Sequence, residues 1–134
     1  MLNAAVCSKA VADTITRALK AVTEEGTAKR LKDAKCEVAG KTGTSFGTYA
    51  NGQYSDEFGR RKYQGTFVGF FPADEPRYSV ICTVYSKPTS RSFQGGGIPA
   101  RAIRTLVDRL YSIDPCFRPE LEKPQPEKQQ LAAK

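Results

Sequence analysis

Apolar residues recur every three to four positions in two separated stretches of this chain, with strand-like runs between them. In the first stretch Val11, Ile15, Ala18, Leu19 and Val22 share one face, and Asp13, Arg17, Lys20 and Glu24 fall between them. This pattern predicts an amphipathic helix over residues 4–25, its stripe packed on a core rather than left as a partner groove. Asn3 or Ser8 is placed to cap its start, and Gly26 to stop it. Residues 26–35 are polar and basic and read as a connection, with room for one short helical turn. Cys36 to Thr44 is the first strand candidate. Val38 is its only β-branched apolar residue, and Ala39 and Gly40 weaken it, which suggests that something passes close to this backbone. Phe46 to Gln64 reads as a long polar loop. Gly65 to Phe71 is a nearly continuous apolar run and is expected to be buried on both faces. Pro72-Ala73-Asp74-Glu75-Pro76 is a turn signal, and Arg77 to Lys87 is a third strand, antiparallel to the second. The second helical stretch, Ile98 to Ser112, carries Ile103, Leu106, Val107 and Leu110 on one face, with Pro99 in its first turn and Pro115 beyond its end. After residue 114 the chain turns polar, broken by Pro119, Pro124 and Pro126, and is too poor in apolar residues to order itself. The expected class is α+β: a three-stranded antiparallel sheet flanked by an N-terminal and a C-terminal helix, over residues 1–114, with a Pro-rich tail at 115–134.

Composition narrows the chemistry. The chain has 134 residues, 40% of them hydrophobic, which suits one modest core. No apolar run approaches the roughly 18 residues of a membrane span. The formal charge of +7 favours anionic partners. There is no histidine, so Ser-His-Asp and Cys-His nucleophilic systems are excluded. Cys7, Cys36, Cys82 and Cys116 show no CxxC spacing and read as small buried hydrophobes rather than metal ligands. No metal and no cofactor is expected.

The candidate chemistry lies in Val38-Ala39-Gly40-Lys41-Thr42-Gly43-Thr44-Ser45. Lys41 supplies a cation, Thr42 and Thr44 supply hydroxyl donors on alternate positions, and Gly43 lets a ligand approach the backbone. Together they suit a carboxylate or another anion. A phosphate-binding loop would need a glycine five positions before the Gly40-Lys41 pair, where Lys35 stands, and a following helix, where a loop is expected. A second reading is a non-catalytic basic module for nucleic acid or another polyanion, from Arg60, Arg61 and Lys62 beside Tyr54, Phe58 and Tyr63. No recognised nucleic-acid motif accompanies these residues, and no nucleic-acid partner is expected.

A third reading is acyl transfer of the serine-lysine type, one of whose signatures is a Lys-Thr-Gly box after a strand. Glu25-Gly26-Thr27, Gly40-Lys41-Thr42-Gly43-Thr44-Ser45, Phe67-Val68-Gly69-Phe70-Phe71-Pro72-Ala73-Asp74, the strand after them, and the glycines and Pro99 before the last helix extend the match over roughly residues 3–112. On these residues the chain resembles the C-terminal part of the transpeptidase domain of class B, division-type penicillin-binding proteins. The resemblance implies a portion of the five-stranded fold shared with serine β-lactamases, with the box on an edge strand. It implies that Lys41 supports the site with positive potential, that Thr42 and Thr44 bind the carboxylate of a peptidoglycan stem peptide or a β-lactam, and that Gly43 permits close approach. The backbone N–H of Thr44 would be one of two oxyanion donors, typically contributing about 3–4 kcal/mol to the transition state. The parent would be a serine-type D,D-transpeptidase, anchored in the bacterial cytoplasmic membrane with this domain on its outer side.

The family's nucleophile motif is Ser-x-x-Lys, and no serine here has a lysine three positions on. The second motif, Ser-x-Asn, is also missing; Tyr49-Ala50-Asn51 looks like a variant of it but follows the box instead of preceding it. The expectation is a soluble piece of a longer chain, inactive alone, whose partner is the upstream part of the same domain. Residues 77–87 would then lack a neighbouring strand and be prone to self-association.

Overall fold

The computed structural model describes residues 6–87, 89 and 94–117. The first helix, α1, spans Lys9–Glu24, capped by Ser8, whose hydroxyl accepts from the Val11 N–H at 3.4 Å. It starts later than the periodicity suggests: Val6 and Cys7 lie outside it and are exposed, and residues 1–5, including Asn3, fall outside the described residues. The chain then folds back on the helix end, Gly26 N–H donating to Ala21 and Ala28 N–H to Val22, each at 3.0 Å. The expected extra turn is a 3-10 turn at Lys29–Leu31. Three strands follow: β1, Ala39–Gly47; β2, Lys62–Phe71; and β3, Tyr78–Ser86. The second helix, α2, is Ile98–Ile113, with Pro99 in its first turn. Residues 115–117, assigned above to the tail, form a 3-10 turn, and Phe117 is buried against Tyr78 and Tyr111. An aromatic side chain therefore closes the end of the core; residues 118–134 fall outside the described residues.

The strands form one antiparallel sheet in the order β1-β2-β3. This is the expected α+β architecture, although β1 runs three residues past Thr44 and β2 begins three residues before Gly65. The register sets the faces. Thr42, Phe67 and Cys82 are cross-strand partners on one face, and Lys41, Val68 and Ile81 on the other. The first face holds the core: Phe67 and Phe71, with Val80 and Cys82 packed against them, meet Ala100, Ile103 and Val107 of α2, with Ala28 and Leu31 closing one side. The connection 26–35 is tied to α2 by polar bonds. The Arg104 guanidinium donates to the carbonyls of Arg30 and Asp33, and Asp108 accepts from the Lys35 N–H at 2.8 Å.

The weak propensity of Ala39-Gly40 has a packing cause. The Phe67 ring lies across Gly40 and Gly69: a Cβ at Gly40 would fall 2.4 Å from its Cζ, and one at Gly69 2.8 Å from its Cε1. What passes close to this backbone at residue 40 is thus the protein's own ring, fully buried at 0% exposure. Burial of such a side chain contributes about 1.5–3 kcal/mol.

Two expectations about burial fail. The α1 stripe is packed only towards its C-terminal end, at Leu19, Val22 and Thr23; Val11 and Ile15 remain 47% and 52% exposed. Periodicity identifies an apolar face but not its cover, and among the described residues nothing covers this one. The β2 run is likewise buried on one face only, because Val68 (48% exposed) points away from α2 beside Ile81 (68%). Of the cysteines, Cys36 is buried and Cys82 half-buried as expected, but Cys7 is exposed because the helix begins after it. The Cys116 side chain falls outside the described residues.

Candidate functional site

Strand β1 is an edge of the sheet and carries the whole Lys41–Ser45 box. Thr23, buried at the end of α1, donates its hydroxyl proton towards the carbonyls of Lys20 and Val38, fixing where the strand begins. Lys20 adds a second tie: its ammonium contacts Glu37 at 2.7 Å and Asp74 at 3.2 Å. The hydrogen bond to Glu37 is the main cause that holds Lys20 above its ordinary pKa; partial burial works the other way, and Asp74 adds to the rise.

Alternation along β1 splits the box. Lys41 and Gly43 lie on the face of Val68 and Thr66, whereas Thr42 and Thr44 lie on the face of Phe67 and Gly65. Lys41 is exposed, and its ammonium donates to the Thr42 carbonyl at 3.0 Å. Thr42 is half-buried, and its Oγ1 lies 2.7 Å from the Oγ1 of Thr27. Gly43 and Thr44 are exposed, and a Cβ at Gly43 would meet nothing nearer than Thr66 at 3.9 Å. In contrast to Gly40, Gly43 is not required by internal packing, and its surface is open to an approaching group. The four residues thus present one cation, two hydroxyls and a glycine with open space where a side chain would sit, all on a single edge.

Sequence reasoning missed two parts of this neighbourhood. Thr27 reads as part of the connection, yet it meets Thr42 side chain to side chain. The turn before α2 also reaches the box: a Cβ at Gly95 would fall 2.0 Å from the Thr66 carbonyl oxygen and 2.9 Å from that of Gly43, and one at Gly96 would fall 1.8 Å from that of Thr27. The signal was present in Glu25-Gly26-Thr27 and in the run Gly95-Gly96-Gly97, but neither motif reveals which backbone it abuts.

On the Lys41 face a groove of about 530 Å³ opens between α1 and the sheet, lined by Leu19, Lys41, Val68, Phe70, Ser79 and Ile81. It is largely apolar, and it continues the exposed Val11-Ile15 stripe of α1.

The segment between β1 and β2 is shorter and better ordered than a 46–64 loop. Gly52 and Gly59 adopt positive φ, 76° and 71°, and form two tight turns. Asp56 organises the second turn by accepting from the Phe58 N–H at 3.0 Å and from the Arg60 N–H and Nε at 2.8 Å each. Burial alone would push the Asp56 carboxyl up, but these bonds and the Arg60 charge outweigh it and hold it below the ordinary carboxylate value. Asn51 uses its side-chain oxygen on the Gln53 N–H, so Tyr49-Ala50-Asn51 is a turn and not part of the box. The basic residues already have rings to lie on: Arg60 over Phe58, Arg61 over Phe46 and Lys62 over Tyr49, at 4.3–4.9 Å.

Comparison with known proteins gives concordant results. The family model described as the penicillin binding protein transpeptidase domain matches residues 1–108. The chain is 35% identical over 77 residues, 58% of its length, to the probable peptidoglycan D,D-transpeptidase PenA of Neisseria flavescens. It is 33% identical over the same length to the PenA of Neisseria gonorrhoeae. It spans 18% and 12% of those two proteins. Among solved structures, the transpeptidase domain of the FtsI4 D,D-transpeptidase from Legionella pneumophila superposes with a TM-score of 0.62 at 30% identity. That match covers 81% of this chain and 38% of the Legionella chain.

Proposed function

Because this chain belongs to the penicillin-binding-protein transpeptidase family, we propose that β1 is the substrate-carboxylate wall of a peptidoglycan D,D-transpeptidase site. The observation that carries the reading is the arrangement on that edge strand: Lys41, Thr42, Gly43 and Thr44 lie together, with Gly43 and Thr44 open to solvent. In this reading the hydroxyls of Thr42 and Thr44 hydrogen-bond the C-terminal carboxylate of a D-Ala-D-Ala stem peptide or of a β-lactam. Lys41 supplies the compensating positive potential. The Thr44 backbone N–H serves as one oxyanion donor, the position where a fixed dipole gains most as charge develops on the scissile carbonyl.

The wall does not make an enzyme. This sequence has no Ser-x-x-Lys and no Ser-x-Asn, so the attacking hydroxyl, its lysine base and the second oxyanion donor must come from elsewhere. Catalytic residues act as a unit, and removing one costs about as much as removing several; this chain alone therefore holds a substrate tail without acylation. The groove beside Lys41 and the exposed α1 stripe are where the rest of a transpeptidase domain would seat. The complete protein would work at the outer face of the bacterial cytoplasmic membrane; among the described residues no helix is long and apolar enough to cross a membrane.

The test is a titration of the isotope-labelled chain with N-acetyl-D-Ala-D-Ala, as the free acid and as the C-terminal amide. The expected result is saturable amide-resonance shifts at residues 41–44 with the acid and much weaker ones with the amide. Equal responses to both would remove the carboxylate reading.

A further inference from the structure

We infer that Thr27 is a positioning residue for the carboxylate site: its hydroxyl orients that of Thr42 and so sets the wall's preference for an anion. The inference rests on the carboxylate reading of β1 and goes beyond it, since Thr27 lies outside the strand.

The geometry is specific. The two Oγ1 atoms are 2.7 Å apart, across 15 residues of sequence. A hydroxyl has one proton and two acceptor lone pairs. When an anion binds Thr42, the Thr42 proton must point at it. The Thr42 oxygen can then only accept from Thr27, and a donor already 2.7 Å away meets that demand without rearrangement. The pair is solvent-exposed, but a proton donated by Thr27 still polarises the Thr42 O–H and strengthens its bond to the carboxylate. With a neutral amide in place of the carboxylate, the same relay gains less, because bonds to charged acceptors are about twice as strong.

Thr27 is also held from behind. Its carbonyl oxygen lies where a Cβ at Gly96 would fall 1.8 Å away, so the turn before α2 abuts it directly. The next residue, Ala28, is fully buried, and its N–H bonds the Val22 carbonyl at 3.0 Å. The backbone of residue 27 is thus fixed by α1 on one side and by the α2 turn on the other, and its side chain is presented to Thr42. Although Thr27 is exposed, its backbone is clamped on both sides.

The experiment compares Thr27→Val, which keeps the shape and loses the hydroxyl, with Thr27→Ser, which keeps the hydroxyl. The affinities of the whole chain for N-acetyl-D-Ala-D-Ala and its amide are read from the residue 41–44 resonances. The wild-type acid-to-amide ratio should fall about five- to tenfold in Thr27→Val, the size of one lost hydrogen bond in a charge-assisted network, and should return in Thr27→Ser. A Thr27→Val protein with the wild-type ratio overturns the inference while leaving the carboxylate reading intact. Equal losses in Thr27→Val and Thr27→Ser overturn it too, since they indicate a packing role. A wild-type chain that does not distinguish acid from amide overturns the carboxylate reading, and this inference with it.

Discussion

Replacing Gly96 by alanine should disturb the box from a distance. The new Cβ would lie 1.8 Å from the Thr27 carbonyl oxygen and 3.7 Å from the Ala28 Cα, so the obstructing atom is backbone and not the end of a flexible side chain. Either the carbonyl or the turn must retreat by about 1.6 Å before the contact becomes ordinary packing. Overpacking of this kind costs about 1–3 kcal/mol. The retreat also pulls Thr27 from Thr42 and loses their 2.7 Å hydroxyl pair, for roughly a further 1 kcal/mol. A total of about 2–4 kcal/mol is a large share of the roughly 5–15 kcal/mol that a domain possesses. With a urea slope near 1–3 kcal/mol per molar, the unfolding midpoint should fall by about 1–2 M, followed by circular dichroism. In a Thr27→Val background the same change should cost about 1 kcal/mol less, because the hydroxyl pair is already gone. A Gly96→Ala chain whose midpoint stays within about 0.2 M of wild type would mean that the α2 turn does not press on Thr27.

Two further outcomes are expected. Asp56 has a depressed folded-state pKa, so the stability it gives the β1–β2 segment is present above its unfolded value of 3.8 and is lost as pH falls through the lower folded value. The Phe58 and Arg60 amide resonances, whose N–H groups bond Asp56, should therefore shift together below pH 3.8, and no such step should appear in Asp56→Asn. Self-association should follow from β3, the second edge of the sheet, where Ile81 and Tyr85 are 68% and 75% exposed. Light scattering should show mass rising with concentration, and more steeply with salt because the +7 charge opposes contact. Ile81→Lys should suppress the rise, and a strictly monomeric wild type at high concentration would exclude it.

The sequence exposed the elements better than their partners. Val11, Ile15, Leu19 and Val22 marked a helix face correctly, but the same period suits a covered stripe and an open one, and this stripe is half open. The ends of β1 and β2 were hidden because Phe46, Lys62 and Tyr63 sit in polar surroundings. What extends the ladder there is the Phe46–Tyr63 ring contact and the register pair Phe46↔Tyr63, both long-range. Lys41, Thr42, Gly43 and Thr44 stand out as a candidate site because their chemistry is contained in one contiguous run. Thr27 and Gly96 do not, because their contacts exist only where the end of α1 and the start of α2 meet β1. Gly40 signals close backbone approach in the sequence, and the approaching group is the Phe67 ring.

On the proposed function, this chain contributes a carboxylate-binding wall and no nucleophile. Incubation with a fluorescent penicillin, followed by denaturing electrophoresis, tests it most directly. No covalent adduct is expected at any concentration at which residues 41–44 respond to ligand. A labelled band that maps to any serine of this chain would contradict it.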